Sequence, residues 1–146
     1  MILFLDTISP LPEFSIIEDN KIIYSKRIIN NNSSKFSDSL IPLYMKINKE
    51  FNLRKNLNFL ITLTGPGSYT ALRLGIAFFS GLSYSMKIPF IGISGIDLFK
   101  LMLNLDIFNT IAIYILSSNN QKYMCVFEKK FKKYKIIKIE NNDFKF

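Results

Sequence analysis

The sequence predicts an α/β fold: a mixed sheet with flanking helices, followed by a shorter strand-rich segment. Three observations predict it. Two strand-like runs flank the turn signal Asp19-Asn20, which makes them a hairpin. Short apolar runs then alternate with segments of helical spacing. After about Asp106 the texture changes to three short strand-like runs with no long helical pattern. A hairpin feeding alternating helices and strands gives a sheet that is antiparallel on one side and parallel on the other.

Taken in order, "ILFLD", Ile2 to Asp6, reads as a buried strand. "EFSIIED" and "KIIYSKRII" form the hairpin, and "NNNSSK", Asn30 to Lys35, is a polar loop. A helix from about Ser37 to Phe51 follows from the spacing of Leu40, Leu43, Tyr44, Ile47 and Phe51, with Pro42 tolerated near its start. "NFLITLT", Asn58 to Thr64, is a second buried strand, and "PFIGIS", Pro89 to Ser94, a third core strand. Between them lie a glycine-rich loop and a helix capped by Ser68 or Thr70. Ser94 or Gly95 begins a short helix, Ile96 to about Leu103. This order is the layout of ribonuclease-H-like and actin-like domains. It divides the chain into a first lobe, residues 1–105, and a shortened remnant of a second lobe, residues 106–146, built from "TIAIYIL", "KYMCVF" and "KKYKIIKIE".

Composition excludes several chemistries. The 146 residues suit one domain with a small appendage, and 49% apolar content supplies a core. Histidine is absent, which removes Ser-His-Asp and Cys-His triads and histidine-containing zinc sites. Cys125 is the sole cysteine, so it forms no intramolecular disulfide and no thiolate cluster, and it reads as a small apolar strand residue. "MILFLDTISP" lacks the basic start of a signal peptide, and charges such as Arg73 and Asp97 interrupt the apolar stretches, so a cytoplasmic protein without a membrane span is expected. The net charge of +8 favours weak attraction to anions, but it accompanies an abundance of Lys, Asn and Ile that codon bias explains.

The stretch "TGPGSYTALRLGIAFFSGLSYSM", Thr64 to Met86, carries the functional signal. Gly65, Gly67 and Ser68 before a helix N-terminus are candidate anion-binding residues. The loop is neither a Walker motif nor a dinucleotide fingerprint, and a tight strand-to-helix turn explains it as well. The helix is apolar nearly all round, so it needs cover on more than one side. The rest of the chain or a second protein can supply that cover. Ala77 and Gly81 form a shallow groove suited to close helix approach.

"GPGSYTALRLGIAFFSGLSYSMKIPFIGISGID", Gly65 to Asp97, resembles the TsaB family, the non-catalytic Gcp-like subunit of the bacterial machinery that makes threonylcarbamoyladenosine in tRNA. Gly65, Pro66, Gly67, Ser68, Thr70, Arg73 and Gly75 match the family signature, with Tyr69 in place of Phe and Ala71 in place of Gly. "LFLDT" and "FSDSLIP" resemble its N-terminal strand and first-helix motifs, with Phe36 where His is usual. The resemblance implies an actin-like fold and a role as partner of the catalytic subunit TsaD, with the ATPase subunit TsaE joining them and tRNA contacted indirectly. Self-association of the isolated chain is an alternative. The resemblance places the interface on helices Ser37–Phe51 and Ser68–Met86, through Leu40, Leu43, Tyr44, Ile47, Leu72, Arg73, Ile76, Ala77, Ser80, Gly81 and Tyr84. It implies no catalytic residue, no metal site and no cofactor of the chain's own, with ATP or ADP and magnesium only at the level of the complex.

The sequence departs from the family in three places. The second lobe is shorter than usual. "LSSNNQKY", Leu116 to Tyr123, stands where the family has D-A-R-x-G-E-V-Y. Asp6 is followed by "TISPLPE" rather than by the small residues of an actin-like phosphate loop, which makes Asp6 a structural cap rather than a metal ligand. The basic segment Lys129, Lys130, Lys132, Lys133, Lys135 and Lys138, interleaved with Phe127, Phe131 and Tyr134, reads as a solvated edge strand, with weak tRNA attraction as the alternative. Two competing functions are a nucleotide-binding protein using Asp6 and the Gly65–Ser68 loop, and a degenerate remnant without activity.

Overall fold

The computed structural model describes residues 1–28, 35–102, 110–116, 122–128 and 133–139, with backbone alone for 114–116, 122–123, 128 and 133–139. The described elements, in chain order, are β1 (Ile2–Asp6), β2 (Glu13–Glu18), β3 (Lys21–Arg27), α1 (Phe36–Phe51), α2 (Leu53–Asn56), β4 (Phe59–Leu63), α3 (Tyr69–Met86), β5 (Phe90–Ile93), α4 (Gly95–Met102), β6 (Thr110–Leu116), β7 (Lys122–Glu128) and β8 (Lys133–Ile139).

The predicted mixed sheet is present, in the order β3-β2-β1-β4-β5. β1 pairs antiparallel with β2 and parallel with β4, and β4 pairs parallel with β5. The Asp19-Asn20 turn joins β2 to β3 with φ of 50° and 60°, both left-handed as a type I′ hairpin turn requires. Glycine meets that requirement at no steric cost, so Asn20→Gly is expected to stabilise the chain by about 0.5 kcal/mol, read as a rise of about 1–3 °C in the thermal midpoint.

Register decides which face of the sheet is core. Leu3 pairs with Ile16 and Leu60, and Leu5 with Phe14 and Thr62, so these six residues share one face, and all are buried. α1 and α3 cover this face through Leu40, Tyr44, Ile47 and Phe79. The buried hydroxyls are satisfied across strands: Thr62 donates to the Leu5 carbonyl at 2.8 Å and Thr7 to that of Leu63 at 3.4 Å. The opposite face carries Ile22, Phe59 and Ile91, all exposed.

Gly75 lets α3 settle onto β1. A Cβ there would lie 2.7 Å from the Thr7 methyl and 3.2 Å from a Leu5 methyl, both on fully packed side chains. Gly75→Ala is therefore expected to destabilise the chain by about 1–2 kcal/mol in denaturant titration, although alanine is intrinsically the better helix former by about 1 kcal/mol.

Some details differ from the sequence expectation. α2, a single turn, follows the left-handed Asn52 that ends α1. Its four residues are too few to carry a periodic signal. Pro42 sits well inside α1 rather than near its start, at an exposed position where the donor it withdraws lies on the solvent side. Ser94 does begin α4, its Oγ accepting from the Ile96 amide at 3.2 Å. β6, β7 and β8 form a separate antiparallel sheet in that order. Cys125 and Phe127 of β7 pack there with Ile96 and Phe99 of α4. The expected boundary at 105/106, the polar loop residues 30–34 and the turn residues 117–121 lie outside the described residues.

Candidate functional site

α3 is the element that the sequence marks most strongly. Ser68 caps it, its side chain accepting from the Ala71 amide at 3.5 Å. At its far end Lys87 adopts a left-handed C-cap with φ of 55°. Ala71, Gly75 and Phe79 are buried against the sheet. Leu72, Leu74, Ile76, Phe78, Leu82 and Met86 are half-buried. Tyr44 of α1 holds the Phe78 side, with the two rings 5.1 Å apart and edge-on, and its hydroxyl points at the Met86 sulfur at 4.0 Å.

Apolar patterning left the cover of α3 open between the rest of the chain and a second protein. Every Leu, Ile, Phe and Met of α3 finds at least partial cover within the chain, because α1 and the sheet approach it from two directions. What stays open is a stripe at helical spacing: Tyr69, Arg73, Ala77, Ser80, Gly81 and Tyr84. Its middle is flat, since a Cβ built on Gly81 meets no atom within 4 Å. Its ends are bulky, with Tyr69 66% exposed and Tyr84 89% exposed. The Arg73 guanidinium rests 5.2 Å from the Tyr69 ring centroid. A hollow of about 340 Å³ opens beside this pair, and one of about 780 Å³ opens at the other end, beside Tyr84 and Lys87.

The interface residues read from the sequence divide into three groups. Arg73, Ala77, Ser80, Gly81 and Tyr84 are exposed and contiguous on α3. Leu72 and Ile76 of α3 and Leu43 of α1 are half-buried. Leu40, Tyr44 and Ile47 are at most 5% exposed and belong to the chain's own core, so they cannot reach a partner. The open apolar residues of α1 are instead Ile41 at 55% and Met45 at 58%. A signal for them was present: α1 has apolar residues on two faces, and only one face fits against a sheet. Tyr69 and Lys87 were missed for a different reason, as each lies at a helix end where spacing is least informative.

The anion-binding reading of Gly65, Gly67 and Ser68 has a packing alternative with definite geometry. A Cβ on Gly67 would lie 2.9 Å from the Ile8 side chain, and one on Gly65 3.3 Å from that of Leu72. The Gly65 carbonyl accepts from the Gly95 amide at 2.8 Å, which ties the loop to α4. Close packing thus accounts for Gly67, and at Gly65 the backbone itself, with φ of 111°, favours glycine. Asp6 is engaged locally, its Oδ1 accepting from the amides of Ile8 at 2.9 Å and Ser9 at 3.0 Å.

Two titrating groups bear on chemistry and stability. Burial pushes the Cys125 thiol up, which disfavours the thiolate a nucleophile needs. Burial also raises Tyr44, with the Arg54 charge opposing it in part. The folded state therefore disfavours the phenolate. Stability from this group is complete below the ordinary tyrosine value of 10.0 and is lost as pH rises through the higher folded value. Tyr44→Phe should flatten that alkaline loss in pH-dependent denaturation.

The aromatic part of the basic segment is also corrected. Phe127 is 1% exposed, packed with Ile96 and Cys125, so it is unable to stack on a base. Lys129, Lys130, Phe131 and Lys132, and the side chains of Lys133, Tyr134, Lys135 and Lys138, lie outside the described residues. Among the described residues no cluster of potential metal ligands occurs, and no helix is long and apolar enough to cross a membrane.

A family model described as TsaD: tRNA N6-adenosine threonylcarbamoyltransferase matches residues 23–143. The tRNA threonylcarbamoyladenosine biosynthesis protein TsaB of Buchnera aphidicola subsp. Schizaphis graminum (strain Sg) is 34% identical over 80 residues, which are 53% of this chain and 37% of that protein. YeaZ from Pseudomonas aeruginosa superposes with a TM-score of 0.65 at 15% identity, covering 93% of this chain and 63% of that one. A structure described as an uncharacterized protein with similarity to peptidase YEAZ from Pseudomonas aeruginosa gives the same score and identity, with 62% of its chain covered. The two structural likenesses are to the fold, and they fit the actin-like architecture. The chain spans less than two thirds of the length of each of these relatives.

Proposed function

The chain belongs to the TsaB family, within the wider family that includes the transferase TsaD, and on that premise we propose that it is a non-catalytic subunit in the formation of threonylcarbamoyladenosine in tRNA. It acts as the docking partner of a TsaD-like catalytic subunit, which transfers the threonylcarbamoyl group to the adenosine next to the anticodon. The observation that carries this reading is the open stripe of α3, whose flat centre at Ala77, Ser80 and Gly81 lets another helix come close. Ile41 and Met45 are exposed large apolar residues of α1 that a partner could also cover. The sequence has no histidine, and burial disfavours the Cys125 thiolate, which supports a supporting rather than a reacting role. A TsaE-like ATPase and tRNA enter at the level of the complex, in the cytoplasm.

Coexpression with the TsaD-like protein is expected to give a stable heteromeric complex. Lack of any association at micromolar concentration would overturn the reading. A nucleotide, if used, belongs to the assembly, because Ile8 packs against the loop glycine Gly67 and Asp6 is committed to its own turn. Titration of the isolated chain with ATP and magnesium is expected to show no saturable heat. Saturable binding there would favour an actin-like nucleotide-binding protein instead.

A further inference from the structure

We propose that the outer stripe of α3 recognises an acidic helix surface on the partner protein, with Arg73 and Lys87 as the two points that carboxylates meet. The inference rests on the reading of this stripe as a partner interface and adds the partner's chemistry. The hollow at each end has a tyrosine and a cation in its lining: Tyr69 and Arg73 at one end, Tyr84 and Lys87 at the other. The helix between them has no acidic residue. The Arg73 guanidinium is held against the Tyr69 ring, so less side-chain freedom is lost when a carboxylate pairs with it.

Spacing selects the class of partner. Arg73 and Lys87 are separated by about four helical turns, roughly 21 Å along the axis. The surface between them is flat and neutral at Ala77, Ser80 and Gly81. A nucleic-acid strand carries a charge about every 3.4 Å and calls for a continuous cationic track, which this stripe does not offer. A protein helix with a small or apolar centre and carboxylates towards its ends matches both the gap and the charges.

The test uses the full chain and the TsaD-like subunit, with affinity measured over a range of salt. Arg73→Glu is expected to weaken the complex at least about tenfold and Lys87→Glu about three- to tenfold, each with a reduced salt dependence. Arg73→Lys, which keeps the charge but loses the planar group stacked on Tyr69, should weaken the complex less than Arg73→Glu does. Lys21→Glu on β3, an exposed site at the sheet edge opposite β4 and β5, makes the same change in net charge and should alter affinity less than about twofold. Thermal midpoints of the variants control for folding. Failure of the wild-type chain to associate would defeat the interface reading itself. Association that is indifferent to Arg73→Glu, or equally weakened by Lys21→Glu, would overturn the charge assignment alone. Two further outcomes also overturn it: a homodimer with the same Arg73 sensitivity in place of the heteromer, and loss of tRNA binding by the Arg73→Glu chain with unchanged protein association.

Discussion

Gly81→Arg is expected to abolish association with the TsaD-like subunit while leaving the isolated chain at least as stable as before. Two effects of opposite sign meet at this residue. Gly81 lies inside α3, where glycine costs about 1 kcal/mol relative to good helix formers, and a side chain there meets open space. Arginine should therefore raise the thermal midpoint of the isolated chain slightly. In the complex the same side chain occupies the room that a close-packed helix needs and leaves a charge facing it. A loss of at least about 100-fold in affinity is expected by calorimetry or quantitative pull-down. Retained affinity in a stably folded variant would place the partner elsewhere. The opposed readouts separate an interface residue from a structural one, because damage to the fold would lower both.

Phe14→Ala is expected to be the most damaging single truncation in the chain. Phe14 is fully buried on β2, and its ring lies 6.5 Å from Tyr44, 6.4 Å from Phe78 and 6.2 Å from Phe79. It thus joins the sheet to both α1 and α3. Removing such a ring leaves a cavity that rigid neighbours fill incompletely, at a cost of about 3–5 kcal/mol. That is a large share of the roughly 5–15 kcal/mol that holds a domain of this kind together. Chemical denaturation should show the loss directly, and Phe14→Leu should recover more than half of it. Because the ring orients both helices, partner binding by Phe14→Ala should fall together with stability, whereas in Gly81→Arg the two are uncoupled.

The candidate site was only partly legible in the sequence. The sequence marked a shallow groove at Ala77 and Gly81, and the open line through Arg73, Ala77, Gly81 and Tyr84 runs along it. On α1 the residues taken from the resemblance lie on the packed face. Leu40, Tyr44 and Ile47 make the most regular stripe, and regularity marks the face that packs on the sheet. Ile41 and Met45 stand outside that stripe and are exposed for that reason. Phe127 failed similarly, since its place among lysines concealed the alternation that buries it beneath α4.

The sequence by itself determined the elements of the first hundred residues apart from the single turn α2, the mixed sheet, the hairpin at Asp19-Asn20 and the absence of histidine-based chemistry. These are local properties: apolar period, turn chemistry and residue inventory act within a few positions of one another. Only the tertiary structure decided which side of each helix remains available. Exposure depends on which neighbours arrive: α1 closes over Phe78, β1 meets Gly75 and Ile8 fills the space beside Gly67, each brought there by contacts distant in the chain. What those contacts leave uncovered is the flat stripe from Tyr69 to Tyr84.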